Sequence, residues 1–150
     1  MPKLRDGDLL VAMRRILLWT LFPGLSIASP VLIHHPQLTN EDFSTSSLVR
    51  IYAMQKRVWS DSTPIKVFTL SNTSALHKDF VHKYLRMQPY QLDRLWHRLV
   101  FSGTGTTPVE VFSIEEMIEK VKNTPGAVGY VDSTDADGID KSMMTVTTDD

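Results

Sequence analysis

Four consecutive polar residues, Ser71, Asn72, Thr73 and Ser74, carry side chains that could bind a small anion. They follow an apolar segment and precede a pattern of helical spacing, so they lie where a strand runs into a helix. Hydroxyl and amide donors at such a point can hold an oxyanion, because the helix start adds free backbone N–H groups and partial positive charge. The same residue types also cap helices without binding a ligand, and both interpretations stay open. These four residues are the first candidate oxyanion site.

The second candidate is the stretch FSGTGTTP at residues 101–108, in which Ser102, Gly103 and Thr104 combine flexible backbone with hydroxyl groups. A glycine-rich loop can aim backbone N–H groups at a phosphate, since glycine permits close approach. This loop has neither the lysine of a nucleotide-binding P-loop nor the third glycine of a dinucleotide fingerprint, and it leads into a predicted strand. The stretch is therefore not predicted to bind a nucleotide, and it is either a structural connection or a contact to a small ligand.

No other pattern in the sequence predicts a catalytic, metal or cofactor site. The chain has no cysteine, which excludes disulfides and thiolate ligands. His34 and His35 are adjacent, so on a strand their side chains point to opposite faces. His77 and His82 are five residues apart, a poor spacing for two ligands of one metal on a helix. We expect packing or surface roles for the histidines and, without a nucleophile motif such as G-x-S-x-G, a binding component rather than an enzyme.

The amino-terminal segment predicts export to the periplasm. Two arginines precede an apolar run at residues 16–27, and small residues lie at the positions before a cleavage site after Ala28. This arrangement is typical of a cleavable signal peptide at residues 1–28, with an alternative start at Met13. The run is too short to span a bilayer, which argues against a membrane anchor and predicts no membrane span in the mature chain.

Length and composition fit one domain at residues 29–150 with its own core, since 42% of the 150 residues are hydrophobic. Over residues 29–150 there are 12 Lys and Arg residues against 15 Asp and Glu residues. A nucleic-acid partner therefore has little electrostatic support. Arg94, His97 and Arg98 predict a basic helix face, which is either solvated or in contact with a partner.

Strand and helix patterns alternate along the chain. Short apolar or alternating runs rich in β-formers predict strands at residues 31–36, 65–70, 109–112 and 127–131. Apolar residues at helical spacing predict helices within residues 46–59, 71–85, 89–99 and 113–121. Residues 132–140 read as an acidic solvated loop before a last strand at MMTV. The alternation predicts an α/β fold with a mostly parallel sheet flanked by helices.

The order of three segments resembles the periplasmic phosphate-binding proteins of ABC transporters, including short single-lobe relatives. These segments are LVRIYAMQKRVWSDSTPIKVF, VFSGTGTTP and NTPGAVGYVD, and the likeness runs from about Val31 to Asp132. The piece PGAVGYV is its most specific part. The resemblance implies a single lobe of a type II periplasmic binding protein, whose full-length relatives close two lobes on a ligand. The second wall of such a cleft would come from another chain.

The resemblance also implies what the chain binds. Phosphate receptors carry an arginine and a Ser-Gly-Thr turn where this sequence has Leu70, Ser74, Ala75 and Leu76. Only the serine is kept, and loss of the arginine removes a bidentate, charge-assisted pair to the anion, which predicts weak binding. We therefore expect an exported component that binds phosphate or another oxyanion weakly. The alternative is an interaction module, without a ligand, for a membrane sensor or transport partner.

Overall fold

The computed structural model describes residues 29–103 and 105–145, so the predicted signal peptide and the alternative start at Met13 lie outside the described residues. The elements, in chain order, are β1 Pro30–His34, α1 Thr45–Tyr52, β2 Lys66–Thr69, α2 Ala75–Leu85, α3 Pro89–Ser102, β3 Val109–Glu110, α4 Ile114–Asn123, β4 Ala127–Asp132, α5 Ser133–Ala136 and a 3-10 helix at Lys141–Met143. None of the helices in this part of the chain is long and apolar enough to cross a membrane.

The four strands form one sheet in the order β1-β4-β2-β3. Strand β2 runs parallel to both of its neighbours, pairing Lys66 with Ala127 of β4 and Phe68 with Val109 of β3. Only β1 is antiparallel to its neighbour, β4. The structure thus confirms the predicted α/β fold with a mostly parallel sheet, and its arrangement matches part of a lobe of a periplasmic binding protein.

Helices cover both faces of the sheet, as β4 shows. Phe80 of α2 stacks on Tyr130 with 4.1 Å between ring centroids. The neighbouring Gly129 faces α4 so closely that a Cβ atom there would lie 2.5 Å from the sulfur of Met117. Because successive strand residues point to opposite faces, α2 and α4 lie on opposite sides of β4. This two-sided burial explains why β4 is apolar along nearly its whole length.

A left-handed backbone occurs at five of the described residues: Met54, Ser62, Arg86, Gly103 and Gly126. Gly126, just before β4, has a φ of 76°, and its carbonyl accepts hydrogen bonds from Trp59 Nε1 and Lys66 N, both at 3.0 Å. The glycine thereby fixes the start of β4 against the segment that enters β2. Met54, which follows α1, has a φ of 60°.

The chain departs from the sequence-based expectations near its carboxyl end. Strand β3 has two residues instead of the four expected at 109–112. Residues 132–140 are not a solvated loop: Asp132 caps the short helix α5, and Ala136 and Ile139 are buried. Of the expected strand at MMTV, the described residues 143–145 form an isolated bridge between Met144 and Ile33, and Val146 lies outside the described residues. The acidic residues and the glycine that surround these buried positions are typical of a loop, which is why the sequence pattern predicted one.

Candidate functional site

The turn of Ser71 to Ser74 joins the carboxyl end of β2 to the start of α2. Ser74 N donates to Ser71 O at 2.9 Å, which closes the turn. The hydroxyl of Ser74 accepts from His77 N at 3.4 Å, so Ser74 is the N-cap of α2. In open α/β sheets, ligands bind at the carboxyl ends of parallel strands, and the turn occupies such a place.

The remaining side chains of this turn are bonded to each other or to α3. Ser71 Oγ and Thr73 Oγ1 lie 3.0 Å apart, and Asn72 Nδ2 donates to Asp93 Oδ2 at 3.3 Å. The N–H groups of the first two residues of α2, Ala75 and Leu76, have no acceptor within the helix, as at any helix start. The turn therefore offers backbone and hydroxyl donors to an anion, with a carboxylate directly beside them.

The second stretch ends a helix. Ser102 is the last residue of α3, and its hydroxyl donates to Leu99 O at 3.2 Å. Gly103 caps the helix with a φ of 64°, and its N–H donates to Val100 O at 3.1 Å. Thr104 lies outside the described residues. This end of a helix carries partial negative charge, which disfavours an anion, and the structure thus gives the stretch a chain-turning role. A ligand role for these three residues stays a prediction.

A cavity of about 350 Å³ lies between α3, the end of β2 and the segment that enters β3. Its volume falls within the range of small-molecule sites. Residues of both predicted stretches line it: Asn72 belongs to the first, and Phe101 and Thr107 belong to the second. The lining residues are Thr69, Leu70, Asn72, Asp93, Trp96, His97, Val100, Phe101, Thr107, Pro108 and Glu110.

One face of α3 forms a wall of this cavity. Asp93, Trp96, His97 and Val100 line it at the spacing of one helical face. Trp96 is half-buried and fixed in place, because its Nε1 donates to Tyr52 O at 2.8 Å. Sequence reasoning placed His97 on a basic helix face, and it missed Asp93. The helical spacing of polar and aromatic residues after Pro89 is the signal that could have found this wall.

The cavity lining is acidic. Asp93 from α3 and Glu110 from the end of β3 both line it, whereas no lysine or arginine does among the residues that the structure describes. Glu110 was also missed by sequence reasoning, since nothing in the sequence links it to Asp93. Two carboxylates that line one cavity without a lysine or arginine beside them attract positive charge and repel a free anion.

A buried polar network lies beneath the cavity. The Tyr130 hydroxyl accepts from Leu70 N at 2.9 Å and lies 3.0 Å from Thr69 Oγ1 and 2.6 Å from His77 Nδ1. Burial raises the pKa of Tyr130 to about 12. Burial also lowers the pKa of His77, although the Asp93 carboxylate acts in the opposite direction. Thr69 and Leu70 line the cavity, so this network fixes its floor.

His97 lines this cavity, whereas His34, His35 and His82 do not. His34 is buried, stacks on Phe43 with 4.8 Å between ring centroids, and has a pKa lowered chiefly by burial. His35 is also buried, and His82 is exposed on α2. Among the described residues there is no group of three or more His, Asp or Glu side chains that could hold a metal ion.

Comparison with known proteins extends to structures only, since the sequence matches no protein-family model and no curated protein. The structure is similar to that of PstS from Borrelia burgdorferi, with a TM-score of 0.59 and 16% identity over 81% of this chain and 47% of that one. It is also similar to an ABC-type phosphate transport receptor from Vibrio cholerae, with a TM-score of 0.57 and 16% identity over 81% of this chain and 46% of that one. The likeness shows a shared fold, and this chain spans about half the length of those receptors.

Proposed function

We propose that this chain is an exported, single-lobe binding component that takes phosphate or another small oxyanion weakly at the turn of Ser71 to Ser74. The observation that supports it most is the location of this turn. In a fold shared with phosphate transport receptors, the hydroxyl-rich turn lies at the carboxyl end of β2 and at the start of α2. Residues 1–28 would direct the chain to the periplasm and residues 29–150 would form the binding lobe.

Each group of the turn has a separate task in this proposal. The N–H groups of Ala75 and Leu76 would donate to the anion together with the hydroxyls of Ser71 and Thr73, which already lie 3.0 Å from each other. Ser74 keeps its hydroxyl engaged as the helix cap. Such donors at a helix start hold an anion without a cationic side chain.

Weak binding follows from what surrounds the turn. Asp93 Oδ2 lies 3.3 Å from Asn72 Nδ2, so a carboxylate borders the place that the anion would occupy. Repulsion between like charges reduces the affinity for a dianion most.

The test is the melting temperature of the protein purified from the periplasmic fraction, titrated with phosphate and, separately, with sulfate at constant ionic strength. A ligand that binds only the folded state stabilises it by about 2.7 kcal/mol at a hundredfold excess over Kd. We expect a saturable rise that is lost when Ser71→Ala and Thr73→Val are combined, a change that leaves the cap at Ser74 intact. Thr39→Val, at an exposed residue outside the cavity lining, is the matched control.

The second candidate function is an interaction module for a membrane transport or sensor protein. The large exposure of Phe101 and Phe112, 87% and 86%, favours it, because large aromatic side chains are enriched at protein interfaces. In that case no anion raises the melting temperature, even at millimolar concentration. Absence of the mature chain from the periplasmic fraction would contradict both candidates.

A further inference from the structure

We propose that the cavity beside the turn binds the ammonium group of a zwitterionic ligand, in which a short linker joins a phosphate or phosphonate group to an amine. This inference rests on the proposed function, because it places the anionic group at the turn of Ser71 to Ser74. It adds the class of ligand: an amine-bearing organophosphorus compound rather than inorganic phosphate.

The sign of the charge in the cavity supports an ammonium group. Asp93 and Glu110 come from different elements, α3 and β3, and both line the same 350 Å³ space. No lysine or arginine neutralises them among the described residues of the lining. An ammonium group gains attraction from both carboxylates, whereas a second anionic group would be repelled by both.

The contact between Asn72 of the turn and Asp93 sets the length of the linker. Asn72 belongs to the turn and also lines the cavity, and its Nδ2 donates to Asp93 Oδ2 at 3.3 Å. A ligand with its anionic group on the turn therefore needs a linker of only a few atoms to bring its amine to Asp93. A two-carbon linker, as in phosphoethanolamine, is of this size.

The aromatic lining fits an organic cation better than a metal ion. Trp96 lines the cavity and is held by its bond to Tyr52 O, so its ring does not need to be ordered on binding. A tryptophan face attracts an alkylammonium group through its π electrons. Two carboxylates alone make a poor metal site, and no group of three or more metal-binding side chains exists in the described part of the chain.

The experiment compares three probes by calorimetry on the periplasmic protein: phosphoethanolamine, ethyl phosphate, which lacks the amine, and ethanolamine, which lacks the phosphate. We expect phosphoethanolamine to have a Kd at least tenfold lower than either of the others. Asp93→Asn combined with Glu110→Gln should weaken the binding of phosphoethanolamine and strengthen the binding of ethyl phosphate. The matched control is Asp79→Asn, which removes a carboxylate at an exposed position of α2 outside the cavity lining. It should leave the Kd of phosphoethanolamine and the Kd of ethyl phosphate unchanged.

The opposite responses of the two probes separate a ligand role of the carboxylates from a structural one, since loss of folding would weaken both. Equal binding of phosphoethanolamine and ethyl phosphate would overturn the inference and leave the proposed oxyanion function in place. Binding of ethanolamine as tight as that of phosphoethanolamine, with none of ethyl phosphate, would overturn both. Absence of binding by all three probes would overturn the inference, and the melting-temperature titration with phosphate then decides separately on the proposed oxyanion function.

Discussion

Two buried tyrosines offer a matched test of how the floor of the cavity is held. Tyr130 and Tyr52 are both 0% exposed, and their rings lie 6.5 Å apart. The hydroxyl of Tyr130 contacts three partners, Leu70 N, Thr69 Oγ1 and His77 Nδ1. The hydroxyl of Tyr52 is buried and has no hydrogen-bond partner among the residues that the structure describes. A Tyr→Phe change removes one oxygen atom in each case, with opposite expected results.

The magnitudes follow from the partners that each hydroxyl leaves behind. Tyr130→Phe deprives the buried N–H of Leu70 of its acceptor, and a buried donor left unpaired costs about 1–3 kcal/mol. Thr69 and His77 each lose one bond but keep the 3.1 Å contact between them, which adds about 1 kcal/mol. We expect Tyr130→Phe to lower the free energy of unfolding by about 2–4 kcal/mol. Tyr52→Phe removes an unpaired buried hydroxyl and should leave the free energy of unfolding unchanged or raise it.

The assay is urea denaturation of both variants and the unchanged protein, followed by tryptophan fluorescence. An unchanged slope against urea would show that the variants unfold by the same transition. A loss of stability in Tyr52→Phe as large as that in Tyr130→Phe would refute the assignment of the network. So would a Tyr130→Phe protein as stable as the unchanged one.

Three further predictions concern stability. Gly126→Ala should lower the free energy of unfolding by about 2 kcal/mol or more in urea denaturation, since φ is 76° and a Cβ there would meet the carbonyl of Pro64; unchanged stability would contradict this. Ser74→Ala should cost about 1 kcal/mol through loss of the cap, and Ser74→Gly only a few tenths, so equal losses would argue against capping. Burial holds the pKa of His77 below 6.5, so the unfolded chain binds a proton that the folded chain does not. The free energy of unfolding should therefore fall as pH is lowered below 6.5, by up to about 1.4 kcal/mol per pH unit, and less steeply in His77→Gln. Equal slopes in the two proteins would contradict the His77 prediction.

Local signals made most of the fold predictable. Apolar residues at helical spacing predicted helices within 71–85 and 113–121, where α2 and most of α4 lie. The apolar run at 127–131 marked β4, because a strand covered on both faces is apolar throughout. Strand β3 was predicted with four residues at 109–112 but has only two, because a strand of two residues is too short to define a period.

The candidate site was only partly predictable, because the cavity depends on long-range contacts. The turn of Ser71 to Ser74 is visible in the sequence as a local pattern. Asp93 and Glu110 lie on different elements and meet at one cavity only once α3 has packed beside the end of β2. The stretch at 101–108 was a candidate site because of its glycines and hydroxyl groups. The structure explains Gly103 by a helix end that needs a left-handed residue.

The most direct measurement for the central claim is a ¹⁵N NMR titration of the periplasmic protein with phosphate, at constant ionic strength. The proposed oxyanion site predicts saturable shifts of the amide signals at residues 71–76, with the largest at Ala75 and Leu76. Shifts confined to other parts of the chain, or none up to tens of millimolar phosphate, would contradict it.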